Sequence, residues 1–245
     1  MPFTLAHAVV ALPFRRSRLP IAGVAAGAMV PDLPLFAPIG VGYATTHAEW
    51  AAPTLDVLLG MLLLVLWGVV LGPALVAVVP PPVAARLPAA ADRPTVPRPT
   101  PLLLVAIAVG AITHVVWDAF THAGRWGTVL LPVLQHRVGP VLLASWLQYA
   151  SSVLGVLLLA GWAVAMLART AAAQDRFPVL SAPARRVAAA VLVVACLIGA
   201  VAGAVAQRGS GVPAAAFAAA TSAIDAAGAV LIVLGVLLGT RSRRS

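Results

Sequence analysis

The feature that most constrains this chain is a series of apolar runs, each long enough to cross a bilayer: Leu55–Val79, Pro101–Phe120, Val141–Ala168, Val187–Ala206 and Pro213–Gly239. About 20 residues of helix cover the ~30 Å hydrocarbon core. No water is available there to satisfy backbone amides, so these runs are predicted to be helical. Composition agrees: 62% of residues are hydrophobic and 9% charged, against about 25% charged in a soluble domain. The predicted fold is all-α, a polytopic helical membrane protein with about five full transmembrane helices plus a short N-terminal helical hairpin.

The hairpin follows from length. Phe3–Phe14 and Pro20–Val30 are apolar but reach only roughly 16–18 Å as helices, and Arg15, Arg16 and Arg18 separate them. Such arms enter a membrane only as a re-entrant pair sheltered by other helices. A cleaved signal peptide ending near Ala26–Ala28 is the competing expectation, and the apolar residues ahead of the arginines count against it. Two regions are expected. Residues 1–168 hold the hairpin and outer loop (1–54) and spans at 55–79, 101–122 and 141–168; residues 169–245 hold two further spans and a basic tail. Proline-rich Pro80–Pro101 and polar Arg169–Arg186 are connections.

The net charge of +9 comes with no lysine at all. The arginines lie in short clusters between spans, where they orient the chain. No basic face is left for nucleic acid. With the proline-rich loop inside the cell, alternation puts Arg15, Arg16, Arg18, Arg86, Arg93, Arg98, Arg169, Arg176, Arg185, Arg186, Arg241, Arg243 and Arg244 inside. Only Arg125, Arg137 and Arg208 fall outside, so the sixteen basic residues divide thirteen to three. The expected location is therefore a bacterial plasma membrane, with the C-terminal tail cytoplasmic. Cys196 is the lone cysteine and excludes an internal disulfide or a C-x-x-C zinc pattern.

Chemistry is concentrated in a few histidines and carboxylates. His114, Asp118 and His122 are spaced i, i+4, i+8, which places them on one helix face. A pair at i, i+4 suits a shared ion. His47 and Glu49 precede the first full span, Asp32 ends the second hairpin arm, and His7 lies in the first arm. The arginine topology carries all of these toward the outer face. Gln148, Ser145, Ser151 and Ser152 add polar groups at similar depth.

An aspartate inside a membrane helix costs several kcal/mol unless paired or hydrated. A divalent cation bound by His7, Asp32, His47, His114, Asp118 and His122 would offset that cost. Mixed nitrogen and oxygen ligands favour zinc, with manganese or iron as further options; calcium prefers oxygen alone. An open coordination position would activate water, with Glu49 or a non-ligating aspartate as general base; Glu49 and Asp118 are the candidate catalytic residues, Asp118 being a ligand as well. The expected activity is metal-dependent hydrolysis of an amphiphilic or phosphoester substrate at the outer face, and the expected partners are the lipid bilayer and that substrate. The competing expectation is a non-catalytic protein whose polar cluster binds an ion or holds helices together, and a transporter is a third. His136 reads as solvated surface. Asp225, midway along the last span, stands apart from the cluster. Nothing in the pattern sets an oligomeric state.

At these residues the chain resembles the domain-of-unknown-function 4184 family of bacterial membrane proteins. The matching segments are Met-Pro-Phe-Thr with His7, Met29-Val-Pro-Asp32, Thr113-His-Val-Val-Trp-Asp-Ala-Phe-Thr-His122 and Leu147-Gln-Tyr-Ala-Ser-Ser152, so the likeness runs to about Ala168. More distantly, the order of His7, Asp32, His47, His114 and Asp118 resembles that of YdjM-type membrane-bound metal-dependent hydrolases. That likeness implies these five as metal ligands. Ala48 departs from the serine usual after the histidine there.

Overall fold

The computed structural model describes residues 4–37, 39–87, 95–173 and 180–242. Met1–Phe3 of the N-terminal motif and Arg93, Arg176, Arg243 and Arg244 of the orientation argument lie outside them. In chain order the α-helices are α1 (Thr4–His7), α2 (Ile21–Met29), α3 (Tyr43–Thr46), α4 (Leu55–Leu66), α5 (Gly72–Val78), α6 (Pro81–Ala84), α7 (Pro101–Thr121), α8 (Trp126–Leu130), α9 (Leu143–Arg169), α10 (Ala182–Ala206) and α11 (Val212–Ser242). Among the described residues, five stretches are long and apolar enough to cross a membrane: Leu55–Val78, Pro101–Thr121, Leu143–Arg169, Ala182–Ala206 and Val212–Thr240. These agree with the five predicted runs to within a few residues, and the protein is a multi-pass α-helical membrane protein.

The chain forms two compact units, Met1–Leu64 with Arg98–Ala163, and Val65–Pro97 with Val164–Ser245. In the first, α7 is central: half of its most apolar window is buried, against 6% for α9. Small residues bring α2 onto it. A Cβ at Gly27 would meet the carbonyl of Ile107, and one at Gly110 would meet that of Val24. Such small-residue seams let membrane helices approach backbone to backbone, where dispersion and polar contacts replace the missing hydrophobic drive. Ala11, Val24 and Ala106 complete the small buried core at this crossing. On another side of α7, Gly60 of α4 lies against Ile107. Gly155 of α9 admits Ala6 of α1, 2.9 Å from where its Cβ would stand.

The hairpin arms are not plain α-helices. Ala8–Arg16 and Val30–Leu35 are 3₁₀. Pro13, Pro31 and Pro34 lack the amide that an α-turn needs, and the tighter turn makes use of what remains. Val141–Leu142, predicted to open the third span, instead pair antiparallel with Arg137–Val138. Gly139, with φ 64°, supplies the left-handed backbone their tight turn requires.

In the second unit α10 and α11 pack through Gly199 and Gly203, against Ser222 and Ala218. The span beginning in α4 passes through a π-helical turn, Trp67–Leu71, before α5. Pro73 explains it: the ring has no N–H and would collide with the carbonyl four residues earlier, so the helix widens there. The amide of Thr95 donates to Gly68 O at 3.0 Å on the same turn.

Candidate metal centre

Four segments of the first unit meet around α7. Residue 114 stands about 20 Å along that helix from its start, and Asp118 one turn further. Their i, i+4 spacing turns both side chains to the buried face. Asp32 enters from the 3₁₀ turn after α2, which the Gly27–Gly110 seam presses against α7. His47 caps α3, and Thr46 Oγ1 fastens α3 to that turn by donating to Pro31 O at 2.6 Å.

One atom each of Asp32, His47, His114 and Asp118 lie within 4.8 Å of one another, and all four residues are buried. His47 Nε2 is 3.2 Å from His114 Nε2. It stands 3.6 Å from Asp32 Oδ1 and 3.4 Å from Asp118 Oδ2. His114 Nε2 is 3.6 Å from each of the same two oxygens. Metal–ligand bonds of about 2.0–2.1 Å in a tetrahedron put ligands roughly 3.3–3.4 Å apart. Five of the six ligand–ligand separations therefore match a tetrahedral ion site.

The tautomers agree with this geometry. His114 Nδ1 lies 2.7 Å from Ala28 O, and His47 Nδ1 lies 2.9 Å from Tyr43 O. A carbonyl only accepts, so each Nδ1 carries a proton, and in the neutral ring each Nε2 turns a lone pair inward. Two lone pairs facing at 3.2 Å repel unless a cation lies between them. A backbone carbonyl on the second ring nitrogen is also how metal-binding histidines are usually held. Asp32 is arranged likewise: Thr4 Oγ1 donates to Oδ2 at 2.6 Å, while Oδ1 is buried without a hydrogen-bond partner among the described residues.

His7 and His122 flank this set. The His7 ring stacks on His114, with centroids 3.9 Å apart and 24° between planes, and its Nε2 is 3.5 Å from Asp118 Oδ1. His122 does not lie on the helix as its i+8 spacing predicted. The α7 helix ends at Thr121, and His122 is its extended C-cap (φ −119°, ψ 129°). It still meets the cluster, because its Nδ1 comes 3.1 Å from Asp118 O and 3.6 Å from Asp118 Oδ1. Burial holds the His122 imidazole below its ordinary pKa, against the opposing pull of Asp118. Tyr43 OH lies 3.4 Å from Asp118 Oδ2. Burial, then the charges of Asp118 and Asp32, push its phenol well above the usual range, so it stays a donor.

Glu49 is not brought into the cluster: its side chain is exposed and makes no ion pair among the described residues. His136 is exposed, as expected. Asp225 is exposed on α11, in the second unit. Gln148 is buried, its amide nitrogen without a hydrogen-bond partner among the described residues, and Ser151 accepts from Trp117 Nε1 at 3.3 Å.

The residue that sequence reasoning missed is Asp56. It lies fully buried in the first turn of α4, both carboxylate oxygens lack a hydrogen-bond partner among the described residues, and it interacts electrostatically with His114. The signal was present as the one acid within the run Leu55–Val79.

Comparison with known proteins adds a family. No curated protein and no solved structure matches the chain, so the more distant likeness to YdjM-type hydrolases gains no support. A family model described as domain of unknown function (DUF4184) matches residues 1–238, a reach that takes in the last two spans as well as the residues around the cluster. The chain belongs to the DUF4184 family.

Proposed function

We propose that this protein is a membrane-embedded metal-dependent hydrolase in which Asp32, His47, His114 and Asp118 hold a divalent cation. The observation carrying this reading is the near-tetrahedral set of inward-facing ligand atoms, with five separations of 3.2–3.6 Å. Two carboxylates balance a dication, and two neutral imidazoles complete a donor set suited to zinc, with manganese or iron as the next choices. Bound there, the ion would supply Lewis acidity and make water a better nucleophile.

The chain's own residues do the rest. Thr4 holds Asp32, and the carbonyls of Ala28 and Tyr43 fix both imidazoles. Tyr43 remains protonated beside Asp118. Asp56, buried, without a hydrogen-bond partner among the described residues and within electrostatic reach of His114, is a stronger candidate than exposed Glu49 to accept a proton from attacking water. On a phosphoester, the water oxygen bonds to phosphorus and the ester P–O bond breaks. The base takes a proton from the water, and the departing alkoxide takes one back. A site within an apolar, lipid-facing unit favours an amphiphilic substrate such as a phospholipid. Arginine asymmetry favours the outer face of a bacterial plasma membrane, with the C-terminal tail cytoplasmic.

One observation favours a second reading. Four protein ligands complete a tetrahedron, the usual pattern of a structural zinc site. The ion would then only tie the hairpin to α7. Metal analysis of detergent-purified protein, with His114→Ala and Asp118→Ala beside wild type, tests both. Stoichiometric zinc in wild type that is lost in the variants, together with release of phosphate monoester or alcohol from phospholipid vesicles, is expected. Bound metal without hydrolysis selects the structural reading, and wild type devoid of metal after zinc or manganese supply sinks both.

A further inference from the structure

Charge asymmetry gives thirteen of the sixteen arginines an orienting role and leaves Arg125, Arg137 and Arg208 outside it. Arg137 is engaged locally, donating through Nη1 to Pro140 O at 3.1 Å, and Arg208 belongs to the second unit. Arg125 stands beside the metal centre. Its Cζ is 5.8 Å from the centroid of the Tyr43 ring. That ring lies 3.7 Å from the His47 ring, centroid to centroid, and its hydroxyl is 3.4 Å from Asp118 Oδ2. One aromatic ring thus separates Arg125 from two of the four ligands. Its charge also acts on His122, beside the other oxygen of Asp118. The backbone here is held firmly: Arg125 O accepts from Thr128 N at 3.0 Å, Val129 N at 3.1 Å and Thr128 Oγ1 at 2.9 Å. The guanidinium is placed differently. No ion pair or hydrogen bond among the described residues engages its N–H donors.

We propose that Arg125 binds the anionic phosphoryl group of the substrate and so restricts the centre to phosphoesters. This inference rests on the hydrolase reading above and adds to it the residue that selects the substrate. Asp32, His47, His114 and Asp118 are all buried, whereas Tyr43, His122 and Arg125 are partly exposed. A ligand that reaches the centre past Tyr43 and His122 therefore meets Arg125 on the way. The planar guanidinium matches phosphate oxygens with two parallel N–H···O bonds, which a neutral ester cannot accept as well. Contact with the face of Tyr43 holds the cation in place by charge–quadrupole attraction and uses none of the donors that face away from the ring. Because the Arg125 backbone is fixed by Thr128 while its donors are not engaged, the side chain has a set origin and a free end, as a substrate clamp requires. A role limited to packing on Tyr43 would affect stability and leave phosphate affinity alone.

Phosphate affinity and steady-state kinetics test the proposal in the full-length, zinc-loaded protein in detergent. Wild type should bind inorganic phosphate, read by titration calorimetry, and release the phosphorylated headgroup or phosphate from phospholipid rather than fatty acid. Arg125→Gln should keep the zinc content and thermal midpoint of wild type. It should weaken phosphate binding by roughly 10–100-fold, as loss of a charge-assisted hydrogen bond does, and raise KM for phospholipid by a similar factor with a smaller change in kcat. Arg125→Lys keeps the charge and loses the fork, so it should weaken phosphate by about 2–10-fold; it carries the test if Arg125→Gln does not fold. Phosphate affinity and KM unchanged in these variants overturn the role of Arg125 and leave the hydrolase reading standing. Release of fatty acid by wild type overturns the restriction to phosphoesters. Wild type that holds no zinc, or holds it without hydrolysing phospholipid, overturns the hydrolase reading and this inference with it.

Discussion

At the scale of single residues, the cluster is a case in which supporting groups matter as much as ligands. Thr4 donates to the Asp32 oxygen that faces away from the four-ligand set, and so orients the other. Thr4→Val should lower zinc affinity by about 10–100-fold, read from competition with a chromophoric chelator. Asp56→Asn should keep the metal and reduce turnover by roughly 10²–10⁴-fold if Asp56 is the general base; unchanged turnover with metal retained would remove it from that role. The His114–Asp118 pair was legible because the helical period alone puts them on one face. His47 and Asp32 were legible as residue types near that face, though not as neighbours, since turns rather than spacing bring them in. Glu49 misled through closeness in sequence: two residues beyond His47, the chain has already turned its side chain outward. Asp56 was hidden by its position at a span end, where an acid looks interfacial until its burial is seen.

At the scale of helices, the site depends on how closely α2 and α7 approach. Gly27→Leu and Gly110→Leu each put a side chain into the facing backbone. Overpacking costs typically 1–3 kcal/mol and more where backbone must move, so both should lower the thermal midpoint in detergent. They should also lose metal, because His114 would no longer reach Ala28 O. Gly161→Leu, where nothing stands within 4 Å, is the matched control and should change neither. The spans themselves were readable from hydropathy, but how their ends are built was not. Pro13, Pro31 and Pro34 convert parts of the hairpin arms to 3₁₀ structure, and Gly139 lets Val141 and Leu142 pair as a strand before α9 begins. Both effects follow from single backbone constraints that a smoothed hydropathy profile averages away.

At the scale of the molecule, the number of spans was legible while the division into units was not. The unit boundary falls at Leu64–Val65, inside one continuous apolar helix, and only contacts among distant segments reveal it. Orientation is tested by reporter fusions: one at Arg125 should report the outside and one at Arg93 the inside, and the reverse result would invert the arrangement. Chelation should lower thermal stability, since a ligand at about 1,000 times its dissociation constant contributes ~4 kcal/mol. The ligands also set an order of events during synthesis. Asp32 and His47 leave the ribosome long before His114 and Asp118, and the arms that carry His7 and Asp32 are too short to cross a bilayer unaided. Until α7 is made, the hairpin has neither the seam that shelters it nor the carboxylate that completes its site. Insertion of the N-terminal hairpin and acquisition of metal therefore belong to a late step, after more than 118 residues have been made. In a nascent chain truncated before α7, the span Leu55–Val78 should already resist carbonate extraction while a cysteine introduced into the hairpin by Ala26→Cys stays open to a thiol reagent; in one extending past α9 that cysteine should be protected.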